Sequence, residues 1–317
     1  MSKPRYFVSA FVLILASLPA SVAPAITIDY TPFNYPGSSF TMPKAMSGNE
    51  VVGYYDTPGN TVGFLYNTTT QQWTSLPEVS GAGFTPYGVS GNTIVGQGEG
   101  GSYSYNISTG VYTSIVDPNA PSGVNVQGLS GSYMAGWYYA PSTEADYGDV
   151  FNGSTWSEID YPQSRLTLAY GINGDQVVGY YQDSVANGLD VHGFVYNMQT
   201  ATWQSFTDPA GVQGEGAIEP ATNITGISGN YMVGQFAFSD NVTSAFLYDS
   251  GTWINLGDAF ANGMDGNYFF GARGGSDSGY IAEIVPEPSS IDLMVFGGLA
   301  LAVIGFSRRS VRYRMAI

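Results

Sequence analysis

The chain of 317 residues contains no cysteine and a single histidine, His192. Disulfide bonds, cysteine nucleophiles and zinc centres built from cysteine and histidine are therefore excluded. The fold has to be held together by packing and by closure of its sheets. A Ser-His-Asp triad through His192 stays formally open, but no nucleophile-elbow sequence accompanies it. Its position at the start of a repeated strand makes a structural role the simpler interpretation.

Basic residues are almost as scarce. Between residues 26 and 285 the chain has Lys44, Arg165 and Arg273 against 23 acidic residues, a net charge of −20. Phosphate backbones are bound by clustered lysine and arginine, so nucleic acid is excluded as a partner. Direct adhesion to anionic lipid is disfavoured for the same reason. The charge favours neutral polysaccharides as ligands, or acidic ones only through bridging cations.

Helical periodicity is also missing between the two ends of the chain, so long helices are not expected. The composition instead favours β structure, with 42 Gly, 24 Tyr and 17 Phe. One sequence, GINGDQVVGYY from Gly171, combines a tight Gly-Asp turn with a β-branched run that ends in glycine and aromatics, which is typical of a hairpin. Five variants of it begin at Ala45, Gly88, Gly128, Gly226 and Gly263.

The turn glycines of the six copies are 43, 40, 43, 55 and 37 residues apart. A period near 40 to 45 residues that encloses four short strands predicts the blades of an all-β, six-bladed β-propeller. The sixth unit is one strand short, and an unpaired strand edge invites aggregation. Because ITIDYTP resembles SEIDYP at the end of the third unit, we expect Ile26 to Tyr30 to complete the last blade. A five-repeat body with an irregular end is the alternative.

Both ends of the chain carry targeting patterns. Lys3 and Arg5, an apolar run and the small residues Ala23 and Ala25 predict a signal peptide over residues 1–25, removed by signal peptidase. At the other end a Pro-rich break precedes a short apolar helix and a basic stop, whose arginines stay cytoplasmic by the positive-inside rule. The break is Val285, Pro286, Glu287, Pro288 and Ser289, and the stop is Arg308, Arg309, Arg312 and Arg314.

This tail resembles the PEP-CTERM sorting signal of Gram-negative bacteria. The resemblance implies an exosortase-type processing enzyme as partner and transient inner-membrane insertion through a transmembrane helix within residues 286–317. The processed chain would then reach the cell surface or the extracellular space. An ordinary C-terminal membrane anchor is the competing interpretation. The repeats, with VVGYY, HGFVYN and TWINLGD, resemble the HAF-type extracellular repeat, which implies an exported domain over residues 26–285 and supplies no catalytic residues.

Two kinds of ligand site are considered. Acidic loop residues could donate oxygens to calcium, but no EF-hand or nonapeptide calcium pattern is present, so solvated loops are favoured and no cofactor is predicted. These residues are Glu144, Asp146 and Asp149, and Asp183 with Asp190. Aromatics after the hairpin glycine could stack on sugars, although packing between blades explains them more simply. The candidate ligand face is Tyr54, Tyr138 and Tyr180.

Together these features predict a non-enzymatic protein of the cell surface, extracellular matrix or biofilm that associates with exopolysaccharide. The alternative is a secreted polysaccharide-active hydrolase on a propeller scaffold. A glycosidase needs two carboxylates, which are abundant here and prove nothing. The sequence lacks a set of arginines to bind a substrate carboxylate, a metal cluster and a nucleophile motif. These absences disfavour the hydrolase.

Overall fold

A computed structural model describes residues 26–187, 189–209, 222–239, 242–274 and 278–286. These residues form 24 strands and one 3-10 turn at Val185–Asn187. The strands are arranged in six four-stranded sheets, so the predicted all-β, six-bladed propeller is confirmed. Residues 28–284 make one compact unit, to which all contacts discussed below belong. The predicted signal peptide lies outside the described residues.

The strands of each blade are named from the innermost to the outermost. They follow chain order in five blades, and the sixth ends with the N-terminal strand β1. Blades 1 to 3 comprise β2 (Thr41–Ser47), β3 (Glu50–Thr57), β4 (Asn60–Asn67) and β5 (Gln72–Ser75); β6 (Thr85–Ser90), β7 (Thr93–Gly98), β8 (Gly101–Asn106) and β9 (Val111–Ser114); and β10 (Asn125–Ser130), β11 (Tyr133–Ala140), β12 (Ala145–Phe151) and β13 (Trp156–Ile159). Blades 4 to 6 comprise β14 (Ser164–Asn173), β15 (Gln176–Asp183), β16 (Val191–Asn197) and β17 (Thr202–Phe206); β18 (Asn223–Ser228), β19 (Tyr231–Ser239), β20 (Val242–Asp249) and β21 (Thr252–Gly257); and β22 (Ala259–Asp265), β23 (Tyr268–Arg273), β24 (Gly279–Pro286) and β1 (Ile26–Pro32).

The repeated hairpin sequence forms the two innermost strands of every blade. Its turn glycine, Gly174 in blade 4, has a φ of 57°, and the other five copies lie between 54° and 60°. Glycine adopts this left-handed conformation without a steric penalty, which explains why the turn keeps it in all six copies. The hairpin prediction is therefore confirmed in each blade.

The N-terminal strand closes the ring. β1 is the outer strand of the last blade, beside β24, as expected from the missing strand of the sixth unit. Tyr30 packs edge-on against Tyr280 at 5.3 Å between ring centroids, and the Arg273 guanidinium lies 4.6 Å from the centre of the Tyr30 ring. Beyond β1, the Phe33 N–H donates to the Gly279 carbonyl at 2.8 Å. The chain then enters blade 1, so the first and last strands of the described chain belong to one blade.

The register implied by the ITIDYTP and SEIDYP match is wrong by five residues. That match equates Tyr30 with Tyr161, but Tyr35 is the structural counterpart. Tyr35 stacks on Tyr55 at 3.7 Å, and Tyr161 stacks on Tyr181 at 3.6 Å, both with nearly parallel rings. β1 has seven residues where β13 has four, so the similarity in sequence does not extend to equivalent positions in the two strands.

Aliphatic and aromatic side chains form the core, and one aromatic pair recurs within the blades. In blades 1, 4 and 5 a fully buried phenylalanine of the third strand meets the tryptophan of the fourth at 4.8 to 5.0 Å. Each such phenylalanine contributes roughly 1.5–3 kcal/mol by burial. The pairs are Phe64 with Trp73, Phe194 with Trp203, and Phe246 with Trp253.

Candidate functional site

At the centre of the ring, all six innermost strands carry a bulge at the same repeat position. One residue is left unpaired in each, and these residues line an axial cavity of about 60 Å³. We call them the bulge ring. They are Lys44, Tyr87, Gln127, Tyr170, Thr225 and Asn262.

The residue after each bulge explains why the cavity is small. It is glycine in five blades and Ala45 in blade 1. A Cβ added at Gly226 would lie 2.7 Å from the Gly263 Cα, and one at Gly171 would lie 2.6 Å from the Thr225 carbonyl oxygen. Neighbouring inner strands therefore approach so closely that a side chain does not fit. A cavity of this size holds roughly four to six waters and excludes a sugar ring.

Lys44 has unusual surroundings in the bulge ring. Its ammonium donates to Asn262 Oδ1 at 3.2 Å and lies 5.8 Å from the ring centres of both Tyr54 and Tyr87. No carboxylate in the described part of the chain comes within 4.0 Å of it. Burial lowers the pKa of Lys44 to about 8, and no charged neighbour offsets this.

The hydroxyls of Tyr54 and Tyr87 have no hydrogen-bond partner among the described residues. Burial raises the pKa of both, and their proximity raises the pKa of Tyr54 further. Both hydroxyls therefore stay protonated and can donate. No pattern in the sequence singles out Tyr87, because the bulge that places it at the axis depends on strand pairing.

A second feature is an open groove of about 580 Å³ between blades 1 and 2. Within it, Thr61 Oγ1 donates to Asp56 Oδ1 at 2.7 Å and Thr57 Oγ1 donates to the Asn60 carbonyl at 3.0 Å. Tyr54 lies on the same side of β3 as Asp56, two residues away. The lining residues are Ser39, Asp56, Thr57, Gly59, Asn60, Thr61, Gly83 and Thr85. Its volume suits a small ligand, and its hydroxyl, amide and carboxylate groups suit sugar hydroxyls.

His192 lies in β16 between two polar side chains. Its Nδ1 is 2.7 Å from Thr207 Oγ1, and its Nε2 is 3.6 Å from Asp183 Oδ2. The order Asp, His, hydroxyl matches a catalytic triad in composition. The distance to Asp183 exceeds a hydrogen bond, however. The sequence left a triad open, but it could not identify these two partners.

Four carboxyl groups lie in blade 3 and in the loops beside it, and we call them the blade-3 acidic cluster: Asp117, Asp149, Glu158 and Asp160. Asp117 and Asp149 are buried, Asp160 is half-buried and Glu158 is exposed. Burial, together with a hydrogen bond and the charge from Asp117, raises the pKa of Asp149 to about 8. Burial and the Glu158 charge raise the pKa of Asp160 to about 7. One oxygen each of Asp117, Asp149 and Asp160 is buried without a hydrogen bond.

The acidic residues considered as calcium ligands do not form one site within the described chain. Asp149 is 1% exposed inside the blade, whereas Glu144 lies exposed in the turn before β12. Asp183 lies beside His192, and its N–H donates to the Asp190 carbonyl through the main chain. Within the described ranges, no set of three His, Asp or Glu side chains is placed to hold a metal ion.

The three candidate ligand tyrosines occupy different places. Tyr54 and Tyr180 share the first position after the hairpin glycine and are half-buried. Tyr138 follows one residue later and is 6% exposed, with its hydroxyl donating to Glu158. Successive side chains of a strand point to opposite faces. Tyr138 is therefore part of the interior of blade 3 and does not extend a surface formed by the other two.

Only the start of the predicted sorting motif is described. Val285 and Pro286 continue β24 instead of beginning a break after the domain. No helix among the described residues is long and apolar enough to cross a membrane. The remaining residues of the motif and stop lie outside the described ranges, as does the predicted transmembrane helix: Glu287, Pro288, Ser289, Arg308, Arg309, Arg312 and Arg314.

Comparison with known proteins gives structural neighbours alone. No family model and no curated protein sequence matches the chain. A protein named as TolB from Agrobacterium tumefaciens is 14% identical, with 83% of this chain and 99% of that one covered and a TM-score of 0.49. Virginiamycin B lyase from Staphylococcus aureus is 12% identical over 82% and 100%, with a TM-score of 0.46. An oligogalacturonate lyase determined with manganese is 9% identical over 83% and 98%, at 0.45. At such identities they carry nothing about activity.

Proposed function

We propose that this chain is an exported, non-enzymatic protein of the cell surface or extracellular matrix that binds polysaccharide in the groove between blades 1 and 2. The observation that carries the proposal is the groove itself, which is open, polar and of ligand size. Asp56 and Asn60 offer acceptors and an amide to sugar hydroxyls. The signal-peptide and sorting-signal resemblances support display outside the cytoplasm.

One groove of this kind binds a sugar weakly, so adhesion depends on the number of copies of the protein on the surface. Many copies on one surface that engage a repeating polymer can raise the overall affinity by roughly 10² to 10⁴. A closed propeller is a rigid platform for such display. The proposal therefore places the protein among polymer-binding components, where retention of the matrix is the phenotype.

The binding test uses residues 26–286 and the exopolysaccharide of the source organism. Affinity electrophoresis should show retardation of the wild type. We expect at least a tenfold loss of affinity in the double variant Asp56→Ala with Asn60→Ala, because it removes the groove's main polar groups. Glu99→Ala changes an exposed acid in the corresponding turn of blade 2 and serves as the matched control. Equal retardation of all three proteins, or none of the wild type, overturns the proposal.

Export and sorting have a separate test. We expect the surface form of the chain to begin at Ile26 and to end between Pro286 and Pro288. Mass spectrometry of that form decides the matter. An intact C-terminal Ile317 would contradict processing at the sorting motif and favour a permanent anchor.

The second candidate is a hydrolase, favoured by the arrangement of Asp183, His192 and Thr207. A hydroxyl activated by histidine attacks acyl groups, so the reaction class is release of ester substituents from a polymer. The 3.6 Å gap between His192 and Asp183 makes binding the stronger proposal. Incubating the polymer with wild type and with His192→Ala separates the two. Acyl release or chain shortening that disappears in His192→Ala would establish the hydrolase.

A further inference from the structure

We propose that the bulge ring binds a carboxylate group, held by the Lys44 ammonium and the hydroxyls of Tyr54 and Tyr87. The site lies on the axis, is distinct from the groove, and does not depend on the function proposed above. Its ligand would be a small free carboxylic acid or the carboxylate of an acidic sugar whose ring stays outside the channel.

The first argument is charge. Lys44 is the single lysine after Lys3 in the sequence. Within the described chain its ammonium meets an amide oxygen and two ring faces, and no carboxylate. An ammonium group has three donors, so up to two remain for a ligand. Lys44 is half-buried. A cation that is partly removed from water and lacks an anionic partner is costly, which makes an anion at this position favourable.

The second argument is the presence of two further donor residues beside Lys44. The Tyr54 and Tyr87 hydroxyls are without partners in the described residues, and each ring lies 5.8 Å from the same ammonium. A carboxylate has two oxygens with about four acceptor positions, enough for the ammonium and both hydroxyls.

The third argument is positioning. The Asn262 amide nitrogen donates to the Pro43 carbonyl at 3.2 Å, across the junction between blades 6 and 1. This contact directs Asn262 Oδ1 to Lys44, where it accepts from the ammonium. Asn262 is therefore a positioning residue that holds the Lys44 ammonium at the axis. Its hydrogen bond to Pro43 joins blades 6 and 1, so it forms when the ring is closed.

The volume of the cavity and the net charge of the domain limit which anions can bind. About 60 Å³ accommodates roughly four to six non-hydrogen atoms, if each needs about the space of one water. A carboxylate with one or two further carbons has this size. The net charge of −20 on the surrounding domain repels dianions such as sulfate or phosphate more strongly than monoanions. A monocarboxylate therefore fits both limits.

The single lysine makes the test direct. Residues 26–286, produced with carbon-13 at lysine Cε, should give one lysine NMR signal. It is followed at pH 7 during additions of sodium acetate, sodium glucuronate, glucose and sodium chloride, with ionic strength held constant. We expect a saturable change with acetate, with glucuronate or with both. A change of the lysine signal with acetate alone identifies a free small acid as the ligand. Tighter binding of glucuronate than of acetate identifies an acidic sugar.

Matched variants locate the response. Tyr87→Phe keeps the ring and removes one donor, and should weaken carboxylate binding about tenfold. Tyr133→Phe removes a hydroxyl in blade 3 and should leave binding unchanged. Acetate should raise the melting temperature of the wild type and not that of Lys44→Met, which checks the site without the lysine signal. A response no larger than that to chloride, or one that is equal in Tyr87→Phe, overturns the proposal. The groove variant Asn60→Ala leaves Tyr54 and Asp56 in place and should bind acetate normally, so the two proposals fail independently.

Discussion

Asp149 occupies in blade 3 the position that Phe64 fills in blade 1. Each pairs across the strands with the second glycine of the hairpin repeat, Gly136 and Gly53 respectively, and each is almost fully buried. One blade has therefore replaced a core aromatic with a carboxyl group. A second carboxyl group accompanies the replacement, because Glu158 lies directly opposite Asp149 on β13.

The first prediction follows from the raised pKa of Asp149. Between roughly pH 4 and pH 8 the folded chain keeps a proton that the unfolded chain has lost. Stability from this group is therefore full below its unfolded pKa and declines as pH rises to about 8, by at most about 1.4 kcal/mol per pH unit per proton. Urea unfolding from pH 5 to pH 8.5 should show this decline. Asp149→Asn should make this decline shallower and leave the part that comes from Asp160, whose pKa is raised to about 7. An unchanged slope would contradict the assignment.

A second prediction concerns restoring the repeat. Asp149→Phe places in blade 3 the residue that is fully buried at this position in three other blades. We expect a gain of roughly 1–3 kcal/mol at pH 8, where the carboxyl group is costly. Phe194→Ala is the comparison and should lose roughly 3–5 kcal/mol. A less stable Asp149→Phe protein would mean that the space around the acidic cluster cannot admit a ring.

Ring closure gives a third prediction. A chain that starts after Pro32 lacks β1, which exposes the edge of β24 and removes the contacts of Tyr30 with Tyr280 and Arg273. It should lose most of its thermal stability and tend to aggregate. Differential scanning calorimetry measures the first effect and light scattering the second. Melting close to that of the wild type would show that the ring holds without this strand.

The glycines around the axis supply a fourth prediction. Gly226→Ala brings a methyl group within 2.7 Å of the Gly263 Cα, and backbone cannot move aside as a side chain can. We expect a loss of at least about 1–3 kcal/mol in chemical denaturation. Ala45→Gly, at the corresponding position of blade 1, is the control and should change stability by less than about 1 kcal/mol. Equal stability of the two variants would argue against close packing at the axis.

The fifth prediction uses Lys44. Its folded pKa is about 8 and its usual value is 10.5, so between these values the unfolded chain binds more protons and stability rises with pH. Below about pH 8 the penalty is complete. Without added carboxylate, Lys44→Met should therefore stabilise the chain at pH 7 by up to about 3 kcal/mol. The gain should vanish near pH 10.5. Chemical denaturation of both proteins at pH 7 and at pH 10.5 measures this difference.

The sequence by itself determined the repeat, the six blades and the need for a closing strand. These depend on local signals, namely the glycine turn, the β-branched run and the spacing of successive copies, and on the rule that a strand edge must be paired. The hairpin glycine Gly174 and the strand Ile26–Pro32 are where such signals suggested.

The tertiary structure decided what each repeat position does. Lys44 and Tyr87 reach the axis because their strands bulge there, and Tyr138 points into blade 3 although Tyr54, one repeat position away, lies beside Lys44. Asp149 is an ordinary acidic residue in the sequence and a buried one in the fold. A strand pattern specifies which residues share a face, but burial, charge and access depend on the neighbouring blade that covers that face, and the contact between blades is not encoded within a single repeat.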